Sequence, residues 1–247
     1  MAQPIILYDV PSSLPGKAWS PNMHKARWAL SYKGVPFETV WIEYSDIQTR
    51  MKSIGAQPTT KTKDGNDLYT LPVIQDPSTG AIVSDSFIIA EYLDKTYPSL
   101  PTLFPSSSKA LIYVLDKTFT ANGFPLVNMM LLKVVPHLLS PTKEYFVSRR
   151  EYDLGLKMEE WSPVGPKREE HWDHLKQSLD VVEGWYARTP GPWIMGDTFS
   201  HADIIIGARL EWYYTILDED ERKKLTSWHE GRWAKLLTEV GKVCNVL

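Results

Sequence analysis

The chain has 247 residues, 43% of them hydrophobic and 23% charged, which is the make-up of a globular protein with a core and not of a disordered one. A formal net charge of -3, with no basic run and no aromatic-plus-basic stripe, argues against nucleic acid as a partner. The single cysteine, Cys244, excludes an internal disulfide, a thiolate metal centre and a Cys-x-x-Cys redox pair, and no stretch approaches the roughly 20 apolar residues that cross a bilayer.

Met1-Ala2-Gln3-Pro4 runs directly into Ile5-Ile6-Leu7-Tyr8 without the features of a secretory signal, so a cytoplasmic location is the expectation. Ile5 to Val10 reads as a short buried strand, followed by a loop rich in Pro, Ser and Gly. Ser20-Pro21 has the look of a helix start, and that helix stops at Gly34-Val35-Pro36. Phe37 to Tyr44 alternates and predicts a strand, Asp46 to Ile54 a short helix, and Asp64-Gly65 a turn or loop. Leu71 to Gln75 and Ala81 to Val83 predict an antiparallel hairpin, and Ser86 to Tyr97 a helix. After the linker Pro98 to Ser108 only helical signals remain, over Ala110–Val135, Tyr145–Glu160, Lys167–Arg188, Ala202–Thr215, Asp218–Lys224 and Glu230–Val243. A β-α-β-α-β-β-α unit followed by a helical one predicts two domains, residues 1–104 and 105–247.

Three places carry possible chemistry. Pro72 begins an apolar strand, where it removes a ladder hydrogen bond; a cis Leu71-Pro72 bond would turn the Leu71 N–H and C=O towards an extended peptide ligand. Asp85-Ser86 sits at a strand-to-helix junction, where capping and the capture of an amino-acid head group are compatible uses. Ser20 starts the first helix, and its oxygen can accept a helix N–H while its proton goes to a ligand thiolate. Bringing a thiol from pKa about 8.5 to about 6.5 takes roughly 2.7 kcal/mol, within reach of a helix terminus plus one charged hydrogen bond. Gly196 to Asp203 contains a capping box, Ser200-x-x-Asp203, at the head of an apolar helix, and is expected to be structural. His171 and His174 lack a third ligand nearby, so no metal is expected. Ten tryptophans and twelve tyrosines fit either an aromatic core or a cleft for flat ligands. Trp19 and Met23 beside Ser20, with Phe119, Phe124, Met129 and Met130, are the candidates for lining such an apolar cleft, ordinary core positions being the other reading.

Taken in order, Ser20-Pro21, Leu71-Pro72-Val73-Ile74, Ser84-Asp85-Ser86 and Gly196–Asp203 resemble the glutathione transferase superfamily over essentially the whole chain. The long loop before Trp19-Ser20-Pro21-Asn22 and the segment Lys61–Asp67 are most similar to the fungal FuA class, which is related to the bacterial lignin β-etherases. The resemblance implies an α/β thioredoxin-like N-terminal domain and an all-α C-terminal domain. It implies glutathione as co-substrate, with Ser20 at the sulfur and Asn22 as a possible sharer of that role. Leu71 and a cis Pro72 would hold the cysteinyl part, and Asp85 with Ser86 the γ-glutamyl end. Arg50 and Lys52 are candidates for the glycyl carboxylate. The implied activity is conjugation to, or ether cleavage of, aromatic compounds in detoxification; the alternative is a ligandin-type carrier of plant or wood phenolics. A homodimer is implied as well.

Overall fold

The computed structural model describes residues 3–122 and 127–245. The first half builds a mixed sheet from β1 (Ile5–Asp9), β2 (Phe37–Trp41), β5 (Val73–Asp76) and β6 (Ala81–Ser84), in the order β2-β1-β5-β6. β1 pairs parallel with β2, Leu7 opposite Thr39, and antiparallel with β5, where Leu7 faces Ile74. The central strands β1 and β5 are buried because both of their faces carry apolar side chains, whereas the edge strand β2 alternates and stays half-exposed. Helix α1 (Pro21–Lys33) starts at Ser20-Pro21 and ends on Gly34, whose φ of 68° is the left-handed C-cap that the Gly-Val-Pro string announces. Helices α2 (Ile47–Ser53) and α3 (Ser86–Thr96) complete the β-α-β-α-β-β-α order.

The polar segment after α2, expected as a turn or loop, also forms a two-stranded ladder, β3 (Thr60–Lys61) and β4 (Asp67–Leu68). Two-residue polar strands leave no periodicity to read.

The second half contains only helices among its described residues: α4 (Lys109–Asn122), α5 (Val127–Val134), α6 (Ser140–Leu154), α7 (Pro166–Tyr186), α8 (His201–Ile216), α9 (Glu219–Ser227) and α10 (Arg232–Val243), with short 3-10 turns between them. The stretch expected as one helix over Ala110–Val135 is thus two elements, and α6 starts five residues earlier than Tyr145. Helix α8 is buried almost all round and its start is held as its sequence demands. Asp203 accepts from the Ser200 N–H at 3.0 Å, the Ser200 hydroxyl at 3.1 Å, the Ile194 N–H at 3.0 Å and the Tyr186 hydroxyl at 3.0 Å. Burial pushes the Asp203 carboxyl above its usual value against these donors, and pushes the Tyr186 phenol well up. Before this box, a Cβ on Gly191 would come within 2.5 Å of the Gly196 carbonyl carbon, so only glycine fits there.

The chain divides into two compact units. One comprises Met1–Leu103, Leu138–Tyr145 and Gly241–Leu247; the other comprises Phe104–His137 and Phe146–Val240.

Candidate functional site

The strand directions set the site. With β1 parallel to β2 and antiparallel to β5, and β5 antiparallel to β6, the C-terminal ends of β1, β2 and β6 and the N-terminal end of β5 share one edge of the sheet. The loop from Val10 to Trp19, the Leu71-Pro72 pair and the Asp85-Ser86 junction all leave from that edge. The Asp85 N–H donates to the Pro72 carbonyl at 3.3 Å and fastens the last two together.

Ser20 has the extended backbone of an N-cap, φ -78° and ψ 133°, but its side chain makes no hydrogen bond to the helix. This corrects the expectation that the hydroxyl accepts a helix N–H. Ser20 is 8% exposed at the head of α1, and the hydrogen-bonding capacity of its hydroxyl is unspent by the cap. The loop that delivers it is stiffened from inside: the Ser12 hydroxyl donates to the Lys17 carbonyl at 2.8 Å and accepts from the Leu14 N–H at 3.2 Å. Asn22 is exposed in the first turn of α1.

The Leu71-Pro72 bond is cis. Leu71 precedes β5 and takes no part in the ladders to β1 and β6, so its N–H and C=O are left for other partners. Asp85 is the N-cap of α3, its Oδ1 accepting from Phe87 N–H at 2.8 Å and Ile88 N–H at 3.2 Å. Its φ of 78° is rare for a non-glycine residue and marks local strain of the sort held at functional sites. Ser86 follows as the first helical residue and is buried. Next to it the Ser84 hydroxyl is sealed in with no hydrogen-bond partner.

Two residues, one at the end of β1 and one on α1, escape the sequence reading. Asp9, at the end of β1, accepts from Arg27 of α1 at 2.8 Å and from the Val10 N–H at 2.7 Å, an ion pair that ties the strand end to the helix. Burial nevertheless raises the Asp9 carboxyl above its ordinary value. His24 lies four residues after Ser20, is 7% exposed, and is held neutral: burial first, then the Arg27 charge, lower its pKa to about 4. The spacing of four was the signal for it.

Trp19 and Met23 are buried beside Ser20, in the first unit. Phe119, Met129 and Met130 are buried in the second, where Phe119 meets the Trp185 ring edge-on at 6.5 Å and the Arg209 guanidinium at 6.0 Å. Phe124 lies outside the described residues. On α2, Arg50 lies over the Tyr8 ring at 5.9 Å and Lys52 is 5.4 Å from that of Tyr69. Among the described residues no group of three or more His, Cys, Asp or Glu is placed to hold a metal, and no helix is long and apolar enough to cross a membrane.

Known proteins resemble both halves of the chain. Residues 19–96 match the glutathione S-transferase N-terminal domain and residues 110–242 the glutathione S-transferase C-terminal domain. The glutathione S-transferase-like protein ustS of Aspergillus flavus is 34% identical, over 92% of this chain and 89% of its own. The crystal structure of CsGST63524 of Ceriporiopsis subvermispora, in complex with glutathione, superposes with a TM-score of 0.93 at 38% identity over 98% of both chains. That of GSTFuA3 from Phanerochaete chrysosporium gives 0.91 at 37% identity, again over 98% of both. With both halves matched in order and relatives above 30% identity along nearly the whole length, the chain belongs to the glutathione S-transferase family.

Proposed function

We propose that this transferase binds glutathione along the sheet edge and holds its sulfur as a thiolate against the Ser20 hydroxyl. The observation that carries the reading is the idle hydroxyl: Ser20 stands at the N-cap of α1 without capping it, so its proton and lone pairs are free for a ligand. Leu71 would pair with the cysteinyl main chain beyond the ladders of β5, and Asp85 with Ser86 would take the γ-glutamyl ammonium and carboxylate. Asn22, exposed in the first turn of α1, would share the role of Ser20, and Arg50 or Lys52 would meet the glycyl carboxylate.

The thiolate then attacks an aromatic electrophile, forming a C–S bond as a leaving group such as halide departs, or displaces the phenolate of an aryl ether, in detoxification; with Cys244 buried as the sole cysteine, a protein mixed disulfide is not part of the cycle. Trp19 and Met23 of the first unit, beside Ser20, would meet the aromatic partner, whereas Phe119, Met129 and Met130 are core residues of the second unit. In the alternative, ligandin reading the same surface carries phenolics with little turnover. We further propose a cytoplasmic homodimer in which the first unit of one subunit meets the second unit of the other. Ile88 on α3 and Leu111 and Val114 on α4 are large apolar side chains left 47%, 75% and 59% exposed in the single chain. Turnover of a generic aryl halide, measured beside binding of a fluorescent aromatic dye, tests the activity. Conjugation that tracks the Ser20 hydroxyl supports the enzyme; dye binding without turnover supports the carrier.

A further inference from the structure

The His24 imidazole is a buried polar group that neither the helix nor the sheet uses. Its Nδ1 is sealed from solvent without a hydrogen-bond partner, whereas Nε2 is not among the sealed atoms, and the residue as a whole is 7% exposed. An unpartnered buried polar atom costs stability and calls for an explanation. Packing alone is a poor one, because a leucine or phenylalanine would fill the place without that cost.

The ring's position points elsewhere. Side chains on a helix lean towards its N-terminus and cover the preceding turn, so His24 stands over the turn that Ser20 opens. The Trp28 ring, 5.6 Å away, braces it from the following turn. Arg27, the charge that acts on it, is engaged with Asp9. A proton on Nδ1 would be sealed in with no acceptor, whereas one on Nε2 can be given to a ligand, and that is the tautomer donation requires. Two polar groups therefore stand one helical turn apart, the Ser20 hydroxyl and the Nε2–H, with no hydrogen bond between them.

We propose that His24 is a second hydrogen-bond donor to the sulfur of bound glutathione, giving its Nε2–H beside the Ser20 hydroxyl. The inference rests on the reading that the sulfur faces Ser20. A thiolate is large and accepts from two directions, and a neutral donor stabilises it without itself taking the proton that the thiol releases to solvent. His24 is in this sense a binding residue for the reacting atom, and its loss weakens activation more than it weakens glutathione binding.

The test is the pH titration of the ultraviolet thiolate absorbance of enzyme-bound glutathione, in wild type and in the His24→Phe, His24→Gln and Ser20→Ala proteins. Phenylalanine keeps the ring and removes the donor, and should move the midpoint up by about one pH unit, a tenfold loss of thiolate on the acid side. Glutamine places an amide N–H where Nε2 was and should restore the midpoint. Ser20→Ala should raise it independently. A His24→Phe midpoint equal to wild type, beside a shifted Ser20→Ala, overturns the proposal and leaves the Ser20 reading standing. If neither variant moves, the sulfur is elsewhere and both fall. Should the phenylalanine protein not fold, nitrogen-15 NMR of the wild-type imidazole decides. Nε2 should respond to glutathione and not to S-methylglutathione, and an equal response to both sinks the proposal.

Discussion

A serine at an N-cap normally contributes about 1 kcal/mol by bonding its helix, and Ser20 does not make that bond. Ser20→Ala should accordingly leave the thermal midpoint within about 1 °C of wild type while slowing conjugation roughly 10- to 100-fold, as loss of one hydrogen bond to a charged group allows. A large drop in midpoint with unchanged turnover would make the residue a cap after all. Ser20→Cys puts a thiol at the same helix terminus, which lowers its pKa; intact-mass analysis after treatment with oxidised glutathione should find a mixed disulfide at residue 20 and a gain of deglutathionylation. His24 leaves its own mark on stability. The folded protein refuses, down to about pH 4, a proton that the unfolded chain accepts near 6.5. Between those values the unfolded state binds more protons, so stability is whole above pH 6.5 and falls as the pH drops towards 4, by about 3 kcal/mol at most. Urea midpoints at pH 7.5 and 4.5 should show that loss in wild type and a smaller one in His24→Phe; parallel losses would mean the ring is not held neutral.

The elements differ in how openly the sequence declares them. Helix α8 does so fully: Ser200-x-x-Asp203 ahead of an apolar run predicts a buried, boxed start, and the carboxylate is found with four donors on it. Asp203→Ala strands the Tyr186 hydroxyl and two main-chain N–H groups, so it should cost about 3 kcal/mol or more in denaturant unfolding, beyond an ordinary cap, without changing glutathione affinity. Helix α1 declares its ends but not its chemistry, since Ser-Pro reads alike whether the serine bonds the helix or not. The strain at Asp85 is invisible because a φ of 78° is imposed by the Pro72 carbonyl and the start of α3, not by aspartate itself. His24 and the Asp9–Arg27 pair depend on burial, which periodicity within α1 barely conveys, as both polar and apolar residues of that helix are buried. Thr142 is the extreme case. Its hydroxyl accepts from the Tyr44 N–H at 3.0 Å and donates to Glu43, contacts that span almost a hundred residues of chain and have no local signal.

For the whole molecule, the exposed apolar residues of α3 and α4 make assembly the property to measure. Light scattering at micromolar concentration should return twice the 28.3 kDa chain mass. Leu111→Asp combined with Val114→Asp should return the single mass while keeping the far-ultraviolet circular dichroism of wild type. A wild-type protein that scatters as one chain rules the dimer out. The hold of Thr142 on the turn after β2 also has a consequence for synthesis. The first unit takes residues from three separate parts of the chain, and its last piece, Gly241–Leu247, leaves the ribosome after the whole of the second unit. A nascent chain halted at Leu103 lacks the threonine that holds Glu43 and Tyr44, so a protease added at that stage should cut near that turn and spare it in the released protein. The unit that is begun first is finished last.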